Sequence, residues 1–429
     1  MSASGSQARS ETTPLPTPEL VDAPATAGLS QSFRALRHRN YQLFIGGQIV
    51  SLSGTWMQTV AQSWLVYRLT HSEFLLGTAL FCSQICVFAL GPLGGLAADR
   101  FSRHRLVVTT QTLMMLQAFV LAGLTLSGRV QVWHVLTLAV ILGAINAFDI
   151  PGRQSLLIQM TSKEDLLSAI SLNSAVFNSA RGVGPAIAGL LVAALGEGVC
   201  FLLNAISFLA VIGGLLAMKL PRFERHPPDS PWRHLKEGFR YGWHHKAVRR
   251  LLAMLAIASL ATAPFLVLAP VFADQLFHRG SKGLGFLMAA MGVGAVVGTV
   301  SLARRNHVKG LAEVVAYCAF LLGVANLAFS ISPWFSLSLA ITPLIGYGLM
   351  RQLAAANTTI QTIIPDEYRG RIMALYSMTV VGLAPFGSLA AGALAGRFGA
   401  RMTVALGGML ALAASASFGW ALRRDRSAH

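Results

Sequence analysis

Long apolar runs, separated by short polar connections, occupy the chain from about residue 41 to residue 422. Several of them, such as residues 74–98 and 106–127, contain no charged residue. Both exceed the ~20 residues that a helix needs to cross the hydrocarbon core of a bilayer, whereas a membrane-spanning strand needs only about 10. We therefore expect twelve transmembrane helices, at residues 41–67, 74–98, 105–127, 131–152, 168–195, 198–218, 251–273, 284–303, 310–330, 335–361, 371–396 and 402–422.

The second half of the chain repeats the glycine pattern of the first half. Residues 163–196 align without gaps with residues 366–399, at an offset of 203 positions. Five glycines of the first half then coincide with five of the second: Gly91, Gly95, Gly184, Gly189 and Gly196 with Gly294, Gly298, Gly387, Gly392 and Gly399. The repeat predicts an all-α membrane protein of two six-helix bundles, at residues 33–218 and 251–422.

Three segments lie outside the two predicted bundles. Residues 1–32 are rich in Ser, Thr, Pro and Ala; this composition predicts a disordered tail, and no apolar region follows a charged start as in a signal peptide. Residues 219–250 form a polar, basic linker, and within it residues 231–250 mix aromatic and basic side chains. That mixture predicts an amphipathic helix on the membrane surface, with a solvated linker as the alternative. Residues 423–429 are predicted to be a basic tail.

The distribution of charge gives the predicted orientation. Hydrophobic residues make up 54% of the chain and charged residues only 12%, about half the share found in soluble domains. The net charge of +17 would suit nucleic acid, but the basic residues lie at the ends of apolar runs, so no nucleic-acid partner is expected. With the N-terminus inside, 26 of the 34 Lys and Arg residues lie on the cytoplasmic side. This excess predicts that both termini are cytoplasmic.

Four cysteines lie within apolar runs: Cys82, Cys86, Cys200 and Cys318. Without a neighbouring Cys or His cluster they are predicted to be small packing residues rather than metal ligands. We therefore expect no metal and no other cofactor.

Two predicted helices carry polar stripes. In the first, Gln48, Ser51, Thr55, Gln58 and Gln62 recur every three or four residues and share one helix face. In the fifth, Ser171, Ser174, Asn178 and Arg181 do the same. The equivalent positions in the second half, 203 residues after those of the two stripes, are mostly apolar. The pattern predicts a substrate cavity with one polar and one apolar wall, suited to a medium-sized amphiphilic organic solute; hydrogen bonding between helices is the alternative.

Arg181 and Arg351 are the basic residues that lie deep inside predicted spans. An arginine at the centre of a membrane helix costs about 2.5–3.5 kcal/mol on insertion scales, so each should face a cavity or a partner. After Arg181, the closely spaced Gly184, Pro185 and Gly189 predict close helix packing and a bend.

The turn after the second predicted helix resembles the loop signature of the major facilitator superfamily, G-x-x-x-D-R-x-G-R-R-R. Gly95, Asp99, Arg100, Arg103 and Arg105 match it, whereas Ser102 and His104 depart from it. The resemblance implies that these residues form a conformational latch and that Arg103 pairs with Asp149 of the fourth helix. Ordinary positive-inside flanking is the alternative explanation of these charges.

Residues 33–70 and 148–189 look like one branch of this superfamily, which contains the enterobactin exporter and related siderophore and drug exporters of bacteria. The glycine-rich stretch after Arg181 likewise resembles the fifth-helix signature of its antiporters. The resemblance implies proton-driven export by alternating access, by a monomer in the bacterial plasma membrane. The substrate is expected to be a siderophore or related metabolite, and multidrug efflux is the alternative.

Proton coupling, which the resemblance implies, needs a carboxylate. Asp149 is the first choice, and Asp99 and Glu313 follow it. An intramembrane enzyme is the competing class, but no HExxH motif, paired acids or Ser–His pair lies at membrane depth. The chain is therefore expected not to be an enzyme. An importer is a further alternative, because the helices do not encode the direction of transport.

Overall fold

The computed structural model describes residues 33–162, 164–220, 240, 242–305 and 310–427. The predicted tail at residues 1–32 lies outside the described residues, and so does half of the predicted amphipathic helix, residues 231–239 and 241. Within the described ranges the chain is helical apart from its connections, so the all-α prediction is confirmed for this part of the chain.

The first half contains a short 3-10 helix, Arg34–Arg37, and α1 to α6. The bounds are Arg39–Thr70 for α1, Glu73–Arg100 for α2, Arg103–Leu126 for α3 and Val132–Met160 for α4. The next helical stretch, Leu166–Leu216, consists of two helices that meet at a kink at Gly196, where the backbone is not helical. We call its two arms α5 (residues 166–195) and α6 (residues 197–216).

The second half contains α7 to α12. Helix α7 spans Lys246–Val271 and continues as a π-helical turn, Phe272–Leu276. The following bounds are Gly280–Ala303 for α8, Leu311–Ile331 for α9 and Phe335–Ile363 for α10. Helix α11 has two pieces, Asp366–Gly382 and Ala384–Phe398, and α12 spans Ala400–Ser427. Helix α12 thus continues through most of the segment predicted as a tail, where Asp425 pairs with Arg250.

The repeat in the sequence has a counterpart in the backbone. Gly196 and Gly399, which coincide at the offset of 203, both have a positive φ, of 79° and 81°. A side chain at such a φ is strained, so glycine allows the sharp reversal from α5 to α6 and from α11 to α12.

Nine stretches of the described residues are long and apolar enough to cross a membrane, which makes the chain a multi-pass membrane protein. Helices α1 and α10 are as long, at 32 and 29 residues, but are less apolar. Helix α5 carries a shorter apolar piece, Ser168–Phe177, before the spanning stretch Ile187–Leu216 that includes α6. The polar residues that the sequence singled out are concentrated in these less apolar helices.

The two halves are joined mainly by α2 packing on α11 and by α5 packing on α8. The basic turn between α2 and α3 marks one end of the molecule, here called the basic end. The opposite end contains the α1–α2 and α7–α8 turns. At the opposite end one buried apolar cluster includes side chains of both halves, among them Leu65, Phe201, Phe265 and Phe329.

At the basic end each half has a core of its own. One cluster, which includes Tyr41, Leu156 and Leu215, belongs to the first half. Another, which includes Leu255 and Ile360, belongs to the second. The halves therefore share their packing at one end and separate towards the other.

Candidate functional site

A cleft separates the two halves towards the basic end. Its volume is about 760 Å³, and α2, α4 and α11 line it. Most of the lining is apolar, as at Phe88, Met378 and Val381, and polar groups come from Gln154, Arg371 and Ser377. Binding cavities for drug-sized molecules have about 300–1,000 Å³ and are lined in this way, mostly apolar with a few polar groups.

Asp149 lies directly behind the α4 wall of this cleft. Its neighbours Ala147, Ile150 and Pro151 line the cleft, whereas the Asp149 side chain is completely buried in the first half. The hydroxyl of Thr110 and the amide of Gln111 donate to Asp149 Oδ1, at 2.7 and 2.9 Å. The carboxylate is thus tied to α3 by two hydrogen bonds.

Arg153 supplies the opposite charge. Its Nε lies 2.6 Å from Asp149 Oδ2, one helical turn further along α4. Its Nη1 donates to Gln48 Oε1 of α1 at 2.8 Å. The pair therefore connects three helices of the first half, and either charge would be left buried and uncompensated if its partner were removed.

The base that pairs with Asp149 differs from the expected one. The family signature implied Arg103, but the ion pair that Asp149 forms is with Arg153. Arg103 is half-buried at the start of α3, and it donates to the carbonyl oxygen of Ser155 at 3.4 Å. The i, i+4 spacing of Asp149 and Arg153 was the signal available in the sequence, since such residues are neighbours on a helix. Thr110 and Gln111 had no such signal.

The other residues expected in the latch lie at the rim of the basic end. Asp99, Arg100 and Arg105 are exposed in this conformation. A Cβ on Gly95 would meet no other atom within 4 Å. Glu313 is half-buried in the first turn of α9, at the same end. The structure therefore places Asp99 and Glu313 near the surface and Asp149 in the interior.

The polar stripe of α1 is buried within the first half. Gln48, Ser51, Gln58 and Gln62 are each less than 10% exposed. The amide of Asn204 donates to Gln58 Oε1 at 2.7 Å. Contacts of Gln58 and Gln48 join α1 to α3, α4 and α6 in this conformation.

The remaining member of the α1 stripe, Thr55, is half-buried and donates to the carbonyl oxygen of Ser51 at 2.9 Å. The bonds of Gln48 and Gln58 agree with the alternative of hydrogen bonding between helices, whereas the Thr55 bond lies within α1. Contact of the stripe with a substrate stays a prediction.

The polar stripe of α5 is only partly described. Ser174 is exposed, whereas the side chains of Asn178 and Arg181 lie outside the described part of the structure. Beyond them α5 packs closely on its neighbours. A Cβ on Gly184 would lie 2.6 Å from Trp56 Cβ, and one on Gly189 would lie 1.8 Å from Gly285 Cα. Pro185 is buried between these two contacts.

Arg351, on α10, is half-buried in the second half. Its guanidinium donates to the Tyr347 hydroxyl and lies 5.3 Å from the centre of that ring. Its neighbour Gln352 is completely buried, and neither of its amide atoms has a hydrogen-bond partner among the described residues. This part of the second half thus contains a cation and an amide where the first half contains an ion pair.

Two polar contacts mark the opposite end. The Tyr67 hydroxyl of α1 donates to Asp274 Oδ2 of the π-helical turn at 3.0 Å, and thereby joins the two halves. Arg68 pairs with Glu197 at 2.8 Å inside the first half. Sequence reasoning did not find the contact between Tyr67 and Asp274, because nothing in the spacing links residues so far apart in the chain.

In the ranges that the structure covers, no group of three or more His, Cys, Asp or Glu side chains could hold a metal ion. The four cysteines are free thiols; Cys200 and Cys318 are buried and the other two half-buried.

Residues 30–427 match a family described as transmembrane secretion effectors. The chain is 25% identical to the staphyloferrin A transporter of Staphylococcus aureus, over 85% of this chain and 92% of that one. It is 27% identical to the multidrug efflux pump Tap of Mycolicibacterium fortuitum, over 84% of this chain and 90% of that one.

Among solved structures, the fold resembles a bacterial homologue of the human lysosomal transporter Spinster, in an inward-facing, unoccupied conformation. The TM-score is 0.66 at 15% identity, over 93% of this chain and 98% of that one. At this identity the likeness concerns the fold alone.

Proposed function

Because the chain belongs to the transmembrane secretion effectors of the major facilitator superfamily, multi-pass transporters of the bacterial inner membrane, we propose that it exports a medium-sized amphiphilic organic solute by proton-coupled alternating access. The observation that carries this proposal is the cleft of about 760 Å³ between the halves, open towards the basic end. Side chains of both halves pack together at the opposite end. A site closed on one side and open on the other is what alternating access requires.

The proposed topology has twelve spans in two six-helix bundles, with both termini and the basic end in the cytoplasm. The excess of Lys and Arg at the basic end supports it. The paired reversals at Gly196 and Gly399 support the division into two similar halves. In this orientation the described conformation is open to the cytoplasm, from which an exporter loads its substrate. We further propose that one chain is the functional unit.

We propose Asp149 as the proton-coupling carboxylate, ahead of Asp99 and Glu313. A proton can drive transport only if it binds the two conformations with different affinity. Asp149 is completely buried, is balanced by Arg153 and lies directly behind the cleft. Opening of the pair to water in the other conformation would expose the carboxylate to protonation. The exposed Asp99 has no comparable surroundings.

The latch is proposed from the family signature. In the conformation open to the cytoplasm Asp99 and Arg100 are exposed. Closure of the basic end would bring α2 towards α11, which lies across the cleft. Asp99 could then dock against α11.

The proposed substrate is a siderophore or related secreted metabolite. The relative from Staphylococcus aureus, named a staphyloferrin A transporter, supports this class. So does the cleft, whose walls are mainly apolar and whose polar groups are Gln154, Arg371 and Ser377. Multidrug efflux is the second candidate, because the chain is also similar, at 27% identity, to a multidrug efflux pump.

The direct experiment is to delete the gene and to compare metabolites inside the cells and in the medium by mass spectrometry under iron limitation. A siderophore that accumulates in the cells and is depleted outside identifies both the substrate and the direction. The matched control is complementation with the parental gene and with Asp149→Asn, both quantified in the membrane by immunoblot. Restored export by the parental gene alone supports the proposal.

Unchanged siderophore levels would contradict the siderophore proposal. A drug-susceptibility panel of the same strains would then test the second candidate. Increased susceptibility of the deletion strain supports drug efflux, and unchanged susceptibility contradicts it.

A further inference from the structure

The contact between Tyr67 and Asp274 lies where the two halves meet. Tyr67 lies in the last turn of α1 in the first half and is 1% exposed. Asp274 lies in the π-helical turn that ends α7 in the second half, and its side chain is half-buried. The phenol donates to Asp274 Oδ2 at 3.0 Å. A single hydrogen bond thus ties the ends of two helices that belong to different halves.

The surroundings show what this bond holds together. The Tyr67 ring belongs to the apolar cluster that both halves share, together with Phe272 and Phe277 on either side of Asp274. Opening the molecule at this end would separate α1 from α7. It would break the hydrogen bond and expose this cluster.

The local backbone holds Asp274 in position. The turn Phe272–Leu276 is π-helical, a rare form that occurs mostly as single turns and is frequent at functional sites. His278, just beyond it, has a positive φ of 52°. This geometry fixes the end of α7 against α1.

Several charged or titratable side chains surround Asp274. On α1 these are Tyr67, Arg68 and His71, and His71 stacks edge-on against Tyr67 with ring centres 5.1 Å apart. Arg68 is already paired with Glu197. Helix α2 begins with Glu73, and His278, Arg279 and Lys282 follow along the chain. Among the carboxylates of this set, Asp274 is the one whose hydrogen bond, in the described part of the structure, joins the two halves.

From this geometry we propose that the Tyr67–Asp274 hydrogen bond is the outer gate and that Asp274 is a proton-binding site reached from outside. The proposal rests on the proposed transport function. A proton from the outer solution binds the Asp274 carboxylate and turns a charged acceptor into a neutral one. Hydrogen bonds to a charged acceptor are roughly twice as strong as those to a neutral one. Protonation therefore weakens the gate and favours opening to the outside.

The test measures the distance across the outer end. Spin labels are attached to Ser127→Cys in the first half and Trp334→Cys in the second, both exposed at that end. The four native cysteines are replaced by alanine, and the full chain is studied in lipid nanodiscs without substrate. Double electron–electron resonance at pH 7.5 and at about pH 3.5, below the ordinary aspartate pKa of about 3.9, gives the populations of short and long distances.

In the parent, the long-distance population is expected to grow as the pH falls. Asp274→Asn imitates the protonated carboxylate, so it should shift the ratio of long to short distances at pH 7.5 by roughly tenfold, since hydrogen bonds to a charged acceptor are about twice as strong as those to a neutral one. It should also lose the response to pH. Tyr67→Phe removes the donor but keeps the ring, and should produce at least as large a shift at pH 7.5, because it abolishes the hydrogen bond.

Glu197→Gln is the matched control, because it removes a carboxylate at the same end whose pair lies within one half. It should leave the distances and their pH response unchanged. Unchanged distances in Asp274→Asn, or an equal shift in Glu197→Gln, would overturn the proposal. No substrate is present in this experiment, so a negative outcome would not contradict the proposed export function. Conversely, failure to find an exported solute would not change the distances measured here.

Discussion

Gln352 lies 203 residues after Asp149, at the equivalent position of the repeat, and both side chains are completely buried. Arg153, the partner of Asp149, is replaced at its equivalent position by Ala356, and Gln48 by Leu251. The two halves thus share a backbone plan but differ in chemistry at matched depth. The buried ion pair belongs to the first half, so we expect the two halves to respond differently to substitution and to pH.

Asp149→Asn is expected to abolish proton coupling, and it should also lower the stability of the protein, because it leaves the charge of Arg153 uncompensated. Asparagine keeps the shape and can still accept from Thr110 and Gln111, but it cannot release a proton. Export of the identified metabolite, compared at external pH 6 and pH 8 in cells with equal amounts of membrane protein, should fall at least about tenfold and lose its pH dependence. Export at the parental rate, with the parental pH dependence, would show that the coupling carboxylate lies elsewhere.

Arg153→Ala is expected to destabilise the protein strongly. The substitution leaves the Asp149 carboxylate buried without its counter-charge, which typically costs about 3–5 kcal/mol. Thermal unfolding in detergent should show a large decrease in Tm. The double variant with Asp149→Asn should recover part of the loss, because it removes the uncompensated charge. A double variant less stable than Arg153→Ala alone would argue against the pair.

The equivalent amides should differ in their tolerance of leucine. Gln48→Leu removes the acceptor of Arg153 Nη1 and should cost about 1–3 kcal/mol, the penalty for an unsatisfied buried donor. Gln352→Leu leaves no described partner unsatisfied, since neither amide atom of Gln352 has one. Thermal unfolding of the two variants, measured side by side, should show the larger decrease for Gln48→Leu. Equal decreases would mean that Gln352 has a partner of its own.

Gly189→Ala is expected to disturb the contact between the halves. The added Cβ would lie 1.8 Å from Gly285 Cα, so α5 and α8 must move apart. Gly123→Ala is the matched control, because its Cβ would meet nothing within 4 Å. We expect Gly189→Ala to lose most export activity and to lower Tm, and Gly123→Ala to keep both. Normal export by Gly189→Ala would show that this close approach is not needed.

The docking of the N-terminal segment, Arg34–Arg37, should weaken at acidic pH. Asp165, in the connection between α4 and α5, lies 2.9 Å from His38 Nε2 and 3.0 Å from Arg34 Nε. The hydrogen bond with His38, aided by the charge of Arg34, lowers the pKa of the Asp165 carboxyl below its usual 3.8. Because folding lowers this pKa, the contribution of the Asp165 interactions to stability is fully present above the ordinary carboxyl pKa. It is lost as the pH falls through the lowered value.

Hydrogen-exchange protection of the Arg34–Arg37 segment provides the measurement. It should stay constant from pH 7 to about pH 4, near the ordinary carboxyl pKa, and decrease below it. Asp165→Asn should show reduced protection already at pH 7 and no further decrease in acid. A loss of protection in the parent between pH 7 and pH 5 would assign the dependence to another group.

Much of the architecture was determined by the sequence alone. Uninterrupted apolar runs longer than a bilayer is thick permit only helices, because every backbone group must find its partner within the segment. The offset of 203 between glycines predicted the repeat, and the backbone reversals at Gly196 and Gly399 follow it. The Gly95–Arg105 turn and residues 148–189 were sufficient to identify the superfamily.

The tertiary structure decided which polar residues meet. Arg153 rather than Arg103 pairs with Asp149, Gln48 and Gln58 turn into their own half, and Tyr67 meets Asp274 across the two halves. Helical periodicity gives the face on which a side chain lies, but not the helix that packs against that face. In this protein those neighbours are set by close glycine contacts and by the shared packing of two halves distant in the chain. The chemistry of the candidate site therefore depends on how the helices are assembled.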